Sequence, residues 1–233
     1  MSTVPILRIF IFFDNFSIHN YIKYIDVNLL FIYIIERSCK MNLEEKKIGF
    51  ALTGSFCTFK KTIEQIEKLK EINNIDIFPI MSFNSYNLDT KFGKAEDFIK
   101  QLEELTNNKI IHTIQDSEPI GPKKMFDILI VAPCSGNTIA KLANDIIDTP
   151  VTMAVKSHLR NNRPVVIAIS TNNALSGSAE NIGKLLNRRN YYFVPFKQDN
   201  PITKPNSLVF DPTYIKKTLE YALDNEQIQP ILL

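Results

Sequence analysis

Two stretches of this chain are apolar without a break. Asp127–Ala132 reads D-I-L-I-V-A and Pro164–Ser170 reads P-V-V-I-A-I-S. A strand with one wet face alternates apolar and polar side chains. An unbroken run needs cover on both faces, as in a parallel sheet packed between two layers of helices. Lys47–Leu52 (K-I-G-F-A-L) is a third such run, and Ile75–Met81 and Tyr191–Val194 read as further strands. Pro79 weakens the second of these, because proline donates nothing to a strand ladder. Between the runs lie segments of helical period. Phe59, Ile63, Ile66 and Leu69 share one helical face, as do Phe98, Leu102 and Leu105 within Ala95–Leu105. Ile139, Leu142, Ala143 and Ile146 mark another helix, and 152–159, 178–188 and 213–224 read as helices as well. Strands alternating with helices predict an α/β fold: a three-layer open parallel sheet in one domain. Lys109–Thr113 reads as a short strand, and the segment with Pro195, Pro201, Pro205 and Pro212 as a loop.

Composition narrows the function. The 27 basic and 25 acidic residues leave a net charge of +2, and no basic stripe suggests nucleic acid as a partner. No two of the seven glycines form G-x-G, so the dinucleotide fingerprint is missing. Gly49 and Gly54 have P-loop spacing, but Ser55 and Phe56 stand where Lys and Ser/Thr are needed. Cys39, Cys57 and Cys134 have no metal-ligand spacing, and the three histidines, 19, 112 and 158, are scattered. No metal site is expected, and a reducing cytoplasm is the simplest compartment.

Residues 1–40 differ from the rest, with nine Ile, five Phe and three Tyr. Arg8, Asp14, Lys23 and Asp26 interrupt them, and the cleanest run, Val27–Ile35, is too short for a membrane span of about 20 residues. The expectation is an extension foreign to the fold, with Met41 as the true start and 41–233 as the domain.

In open parallel sheets, ligands bind at the carboxyl ends of the strands, near the switch in strand order. Three predicted strand ends are unusually polar: Thr53-Gly54-Ser55, Ser135-Gly136-Asn137-Thr138, and Ser170-Thr171-Asn172-Asn173. Ser82-Phe83-Asn84-Ser85 is a fourth candidate. Hydroxyls, amides and free backbone N–H groups there suit a phosphate or the polar edge of a ring. The competing reading is helix capping by Ser, Thr and Asn. Cys57 and Cys134 lie beside these loops; each is read as a small buried residue rather than a nucleophile. His112 and His158 read as structural or surface residues. Lys123-Lys124 and Arg188-Arg189 read as solvated faces, and Arg160 and Arg163 as surface residues.

The segment V-A-P-C-S-G-N-T (131–138), continuing I-A-K-L-A-N-D-I-I-D-T-P (139–150), resembles the P-x-S-x-N-T segment of the homo-oligomeric flavin-containing cysteine decarboxylases. The T-G-S loop (53–55) fits that flavoprotein family too. G-F-A-L-T-G-S-F-C-T (49–58), S-E-P-I-G-P-K (117–123), R-N-N-R-P-V-V (160–166), I-S-T-N-N-A-L (169–175), K-P-N-S (204–207) and Q-I-Q-P-I-L (227–232) look like its branch of dipicolinate synthase B subunits. The resemblance spans nearly all of 46–233 and none of 1–40.

It implies a flavodoxin-like fold, FMN as cofactor, and a cytoplasmic role in the mother cell of a sporulating bacterium. It also implies a partner A subunit that carries NAD(P), a small dicarboxylate substrate and a homo-oligomer. Thr53, Gly54, Ser55, Ser82 and Asn84 would lie near the FMN phosphate. Ser135, Asn137 and Thr138 would lie near flavin or substrate, with Asn137 and Ser135 as the catalytic candidates, and Ser170 and Asn172 would line the same cleft. Two features depart from the decarboxylases. Residues 87–99 hold no histidine, where that family uses one, and its P-A-M-N turn is replaced by Ala168-Ile169-Ser170-Thr171-Asn172. The alternatives are an independent FMN-dependent decarboxylase or flavin prenyltransferase, and a non-catalytic subunit that stabilises its partner.

Overall fold

A computed structural model of the protein describes residues 42–233. The expectations about residues 1–40 and the start at Met41 lie outside them. Five parallel strands form the centre of the sheet: β1 (Lys47–Leu52), β2 (Asp76–Met81), β3 (Ile128–Cys134), β4 (Val165–Thr171) and β5 (Tyr191–Phe193). The strands run β2-β1-β3-β4, with β5 beside the first half of β4. Every residue of β3 is buried, as its unbroken apolar run requires. Pro79 is tolerated because β2 is an edge. Its carbonyl accepts from Ile111 N at 2.9 Å on the outer side, so the missing N–H also points outward.

The predicted strand at Lys109–Thr113 reduces to a single bridge, Ile80 to Ile111. The proline-rich segment is not a loop. It forms a hairpin of β6 (Phe196–Asn200) and β7 (Lys204–Phe210), antiparallel to each other and to the end of β4. The sheet is therefore parallel-dominated and mixed. Proline hid this hairpin in the sequence, since Pro201 falls in the turn and Pro205 in a strand whose outer half is exposed.

Helices cover both faces. On one lie α1 (Phe59–Lys70), α3 (Ala95–Thr106) and α8 (Ile215–Leu223). On the other lie α4 (Ile114–Ser117), α5 (Gly136–Ala143), α6 (Pro150–Leu159) and α7 (Ala179–Leu186). The short α2 (Phe83–Asn87) follows β2. The chain leaves β1 for β2 on one side and returns to place β3 on the other. That reversal is the switch point, and it sets the carboxyl ends of β2, β1, β3 and β4 side by side.

Candidate functional site

All four polar segments lie along that one edge. The loop after β1 is bolted to the loop after β3 by Thr53, a buried residue. Its Oγ1 donates to Pro133 O at 2.8 Å and accepts from Ser135 N at 2.9 Å. Ser55 Oγ reaches the strand beyond, donating to Ser170 O at 2.6 Å. Ser170 Oγ lies 3.5 Å from Thr58 Oγ1. Gly136 starts α5 in close contact with the loop after β4. A Cβ there would fall 2.6 Å from Thr171 Oγ1 and 2.8 Å from Asn173 Oδ1. Asn173 Oδ1 in turn accepts from Thr171 Oγ1 and Ser178 Oγ, at 2.7 and 2.9 Å.

The capping expectation holds for two serines. Ser82 Oγ accepts from Ser85 N at 3.3 Å, and Ser85 Oγ bonds Leu52 O at 2.9 Å, tying α2 to β1. Ser135 Oγ accepts from Thr138 N at 3.4 Å and lies 3.1 Å from Thr138 Oγ1. Thus Thr53, Ser55, Ser82, Ser135, Thr138 and Ser170 spend their hydroxyls on the frame of the edge. The amides differ. Asn84, Asn137 and Asn172 are exposed, and their side chains find no hydrogen-bond partner among the described residues. Gly54 is exposed between Phe56 and Asn84, each nearly 4 Å from where a Cβ would stand. The edge therefore presents unpaired amides and open backbone on a rigid neutral frame. No charged side chain lies in 53–58, 82–87, 135–140 or 170–178. This donor set fits a flavin, whose ring edge and ribityl chain are neutral hydrogen-bonding groups.

Two framing residues were within reach of sequence reading. Ser85 and Asn173 both fall inside the polar segments, but neither stands out by residue type from its neighbours. Ser178 lies just past the polar segments and bonds within its own loop, to Asn173 five residues earlier, and its residue type alone does not mark that role. Cys134 is buried as expected, and desolvation pushes its thiol far above the ordinary range, so it stays protonated. Cys57 is the reverse of the expectation: it is exposed at the edge, just before α1. His112 sits beyond β2 and stacks flat on Tyr86, with ring centroids 3.9 Å apart. His158 is structural, buried with Nε2 3.1 Å from Pro164 O. Arg188 is not a solvated face. It donates to Leu142 O and Ala143 O at the end of α5, at 3.1 and 2.8 Å.

Residues 36–212 match the Flavoprotein family, and the chain belongs to it. It is 43% identical to the B subunit of dipicolinate synthase of Bacillus subtilis (strain 168), over 82% of this chain and 96% of that protein. The crystal structure of the dipicolinate synthase B subunit from Bacillus halodurans C superposes with a TM-score of 0.76 at 41% identity, covering 83% of this chain and 98% of that one. An FMN-dependent cysteine decarboxylase, SpaF, shares the fold at a TM-score of 0.54 and 17% identity, covering 78% and 99%. Among the described residues, no helix is long and apolar enough to cross a membrane.

Proposed function

We propose that this chain is the B subunit of a dipicolinate synthase. It acts with an A subunit that binds NAD(P) to oxidise the dicarboxylate product of dihydrodipicolinate synthase to dipicolinate. The carrying observation is the 43% identity extended over 96% of the Bacillus subtilis protein. The setting that goes with this reading is the cytoplasm of the mother cell in a sporulating bacterium, as a homo-oligomer paired with the A subunit.

FMN at the carboxyl edge would supply a ring that accepts and returns a hydride. The chain's own residues bind and orient. Gly54 admits the ligand close to the backbone, while Ser55 and Thr53 hold that loop against β3 and β4. Ser82 fixes α2, which carries Asn84 as a residue that would hold the phosphate, and Thr138 steadies the first turn of α5. Asn137 and Asn172 offer amide N–H donors to the flavin or to a substrate carboxylate. Ser135 serves the reaction by fixing the turn that carries Asn137, and Ser170 by anchoring Ser55.

Two measurements test this. The purified chain, mixed with FMN and desalted, is expected to keep the visible flavin band. Without this chain, the A subunit is expected to form less NAD(P)H and dipicolinate than the two together; equal rates would remove the catalytic role. A second reading, an independent FMN-dependent decarboxylase, draws on the fold shared with SpaF. The absence of a histidine from 87–99 counts against it. Turnover of phosphopantothenoylcysteine without a partner would favour it.

A further inference from the structure

The four strand ends carry no charge, yet a dicarboxylate or a flavin phosphate is an anion. Neutral donors can bind an anion, and a cation brought in from elsewhere in the fold would add a charge-assisted hydrogen bond. The β6–β7 hairpin supplies one. β7 pairs with β4 only at its last residues, Ser170 with Val209 and Thr171 with Leu208. Because β7 runs antiparallel, its residues from 207 back to 204 continue past the carboxyl end of β4, on the side of the candidate site. β6 rises with them, and both strands are exposed along this outer part except at Ser207, which is buried.

The projecting arm is held in place. Leu175 N, in the loop after β4, donates to Asn206 O at 3.0 Å. Gln198 Nε2 donates to Pro205 O at 2.9 Å, and Asn200 Oδ1 accepts from Ile202 N and Thr203 N to close the turn. Lys204 opens β7, two residues before Asn206. Its Nζ is 2.6 Å from Asp199 Oδ2. Both partners are substantially exposed, at 58% and 37%. An exposed pair of this kind adds little to stability. It does hold the ammonium in one place, and an incoming anion can displace the carboxylate.

The geometry points to Lys204 as the residue that meets the negative group of the ligand at the carboxyl edge, with Asp199 as the counter-ion that positions it beforehand. This inference rests on the proposed function. The shared chemistry is a carboxylate or phosphate oxygen accepting from Nζ. The substrate's carboxylate and the phosphate of FMN are its two sources.

The test uses the full chain, with FMN, riboflavin and pyridine-2,6-dicarboxylate as separate probes in calorimetric titrations. Lys204→Gln is expected to weaken an anionic probe at least tenfold, the scale of one charge-assisted hydrogen bond. Lys204→Arg is expected to retain most of the affinity. A double variant, Lys60→Gln with Lys61→Gln, removes the exposed lysines at the start of α1 and is expected to bind as the unaltered chain does. A loss confined to the dicarboxylate assigns Lys204 to the substrate. A loss for FMN but not riboflavin assigns it to the phosphate. Equal affinities for Lys204→Gln and the unaltered chain overturn the inference and leave the proposed function standing. So does a loss that extends equally to riboflavin, which would mark a structural role. If the unaltered chain binds neither flavin nor dicarboxylate, the inference and the proposed function fall together.

Discussion

The two ends of the sheet are closed by different chemistry. At the amino ends of the strands, charged groups seal the backbone. The Arg188 guanidinium spans the last carbonyls of α5 and pairs with Asp145 at 2.9 Å. Arg163 donates to Lys124 O and Phe126 O, and Asp127 Oδ2 accepts from Lys47 N at 2.9 Å. At the carboxyl ends the same task falls to Thr53, Ser55, Ser82 and Ser135, all neutral. An arginine satisfies several carbonyls at once but brings a charge that must be balanced. A hydroxyl satisfies one or two groups and leaves the local field unchanged. The strand ends closed by hydroxyls hold no ion pair of their own and leave their amides unpaired, and this is the end proposed to bind.

The largest expected effect probes the charged end by pH. Burial, chiefly through desolvation of the imidazolium, holds His158 down at about 4, below its ordinary 6.5. The folded protein then binds fewer protons than the unfolded chain in this range. The stability carried by neutral His158 is complete above pH 6.5 and is lost as pH falls toward 4. Between pH 6.5 and 5 the loss should be about 2 kcal/mol, reaching about 3 kcal/mol near pH 4. Denaturant midpoints measured across pH 5–7 check this. His158→Gln, which keeps a donor for Pro164 O, should flatten the slope; an unchanged slope would assign it to another group.

Next is the neutral end. Thr53→Val keeps the shape of the side chain but strands the Ser135 N–H that now donates to Thr53 Oγ1. A loss of about 2 kcal/mol is expected, from one forfeited hydrogen bond and one unpaired donor. FMN retention should fall with it, since Ser135 begins the turn that carries Asn137. Urea denaturation and flavin titration of the same variant separate the two effects. Full flavin affinity in a destabilised variant would break the link between the bolt and the site.

These contrasts explain how much the sequence revealed. The unbroken apolar runs at β3 and β4 gave the buried parallel strands, because cover on both faces leaves no other pattern. The polar segments after them gave the edge, because α/β topology gathers strand ends. What stayed hidden depends on contacts distant in sequence. Arg188 looks like half of a surface pair until α5 is seen to end against it. The β6–β7 hairpin was concealed by its prolines and by an outer half too polar to read as strand. Nor could residue type separate the frame from the unpaired amides. Ser135 and Asn137 are two residues apart and equally polar, yet one hydroxyl is committed to its own helix and the other side chain faces outward.

Arg188→Ala returns to the charged end with a smaller effect. Its side chain is partly exposed, so water can replace some of what it gives the α5 carbonyls. About 1–2 kcal/mol is expected, with flavin binding unchanged because the opposite end is untouched. A thermal shift paired with a flavin titration reads both quantities. A parallel fall in flavin affinity would show that the two ends are coupled through α5.

The smallest expected change in stability is the most informative for function. Asn137 is exposed at the start of α5, and its amide has no partner among the described residues. Truncation to alanine forfeits no internal bond and should move stability by no more than about 0.5 kcal/mol. If the amide meets flavin or substrate, Asn137→Ala should still lower FMN affinity, or synthase activity in the presence of the A subunit, by about tenfold or more, the worth of one well-placed hydrogen bond to a charged group. Asn137→Asp adds a sharper arm. It keeps the shape but replaces amide donors with an anion on an otherwise neutral edge, and should repel a dicarboxylate more strongly than alanine does. Activity and affinity unchanged in both variants, with the fold intact, would mean that this edge keeps its amides free for something other than the ligand.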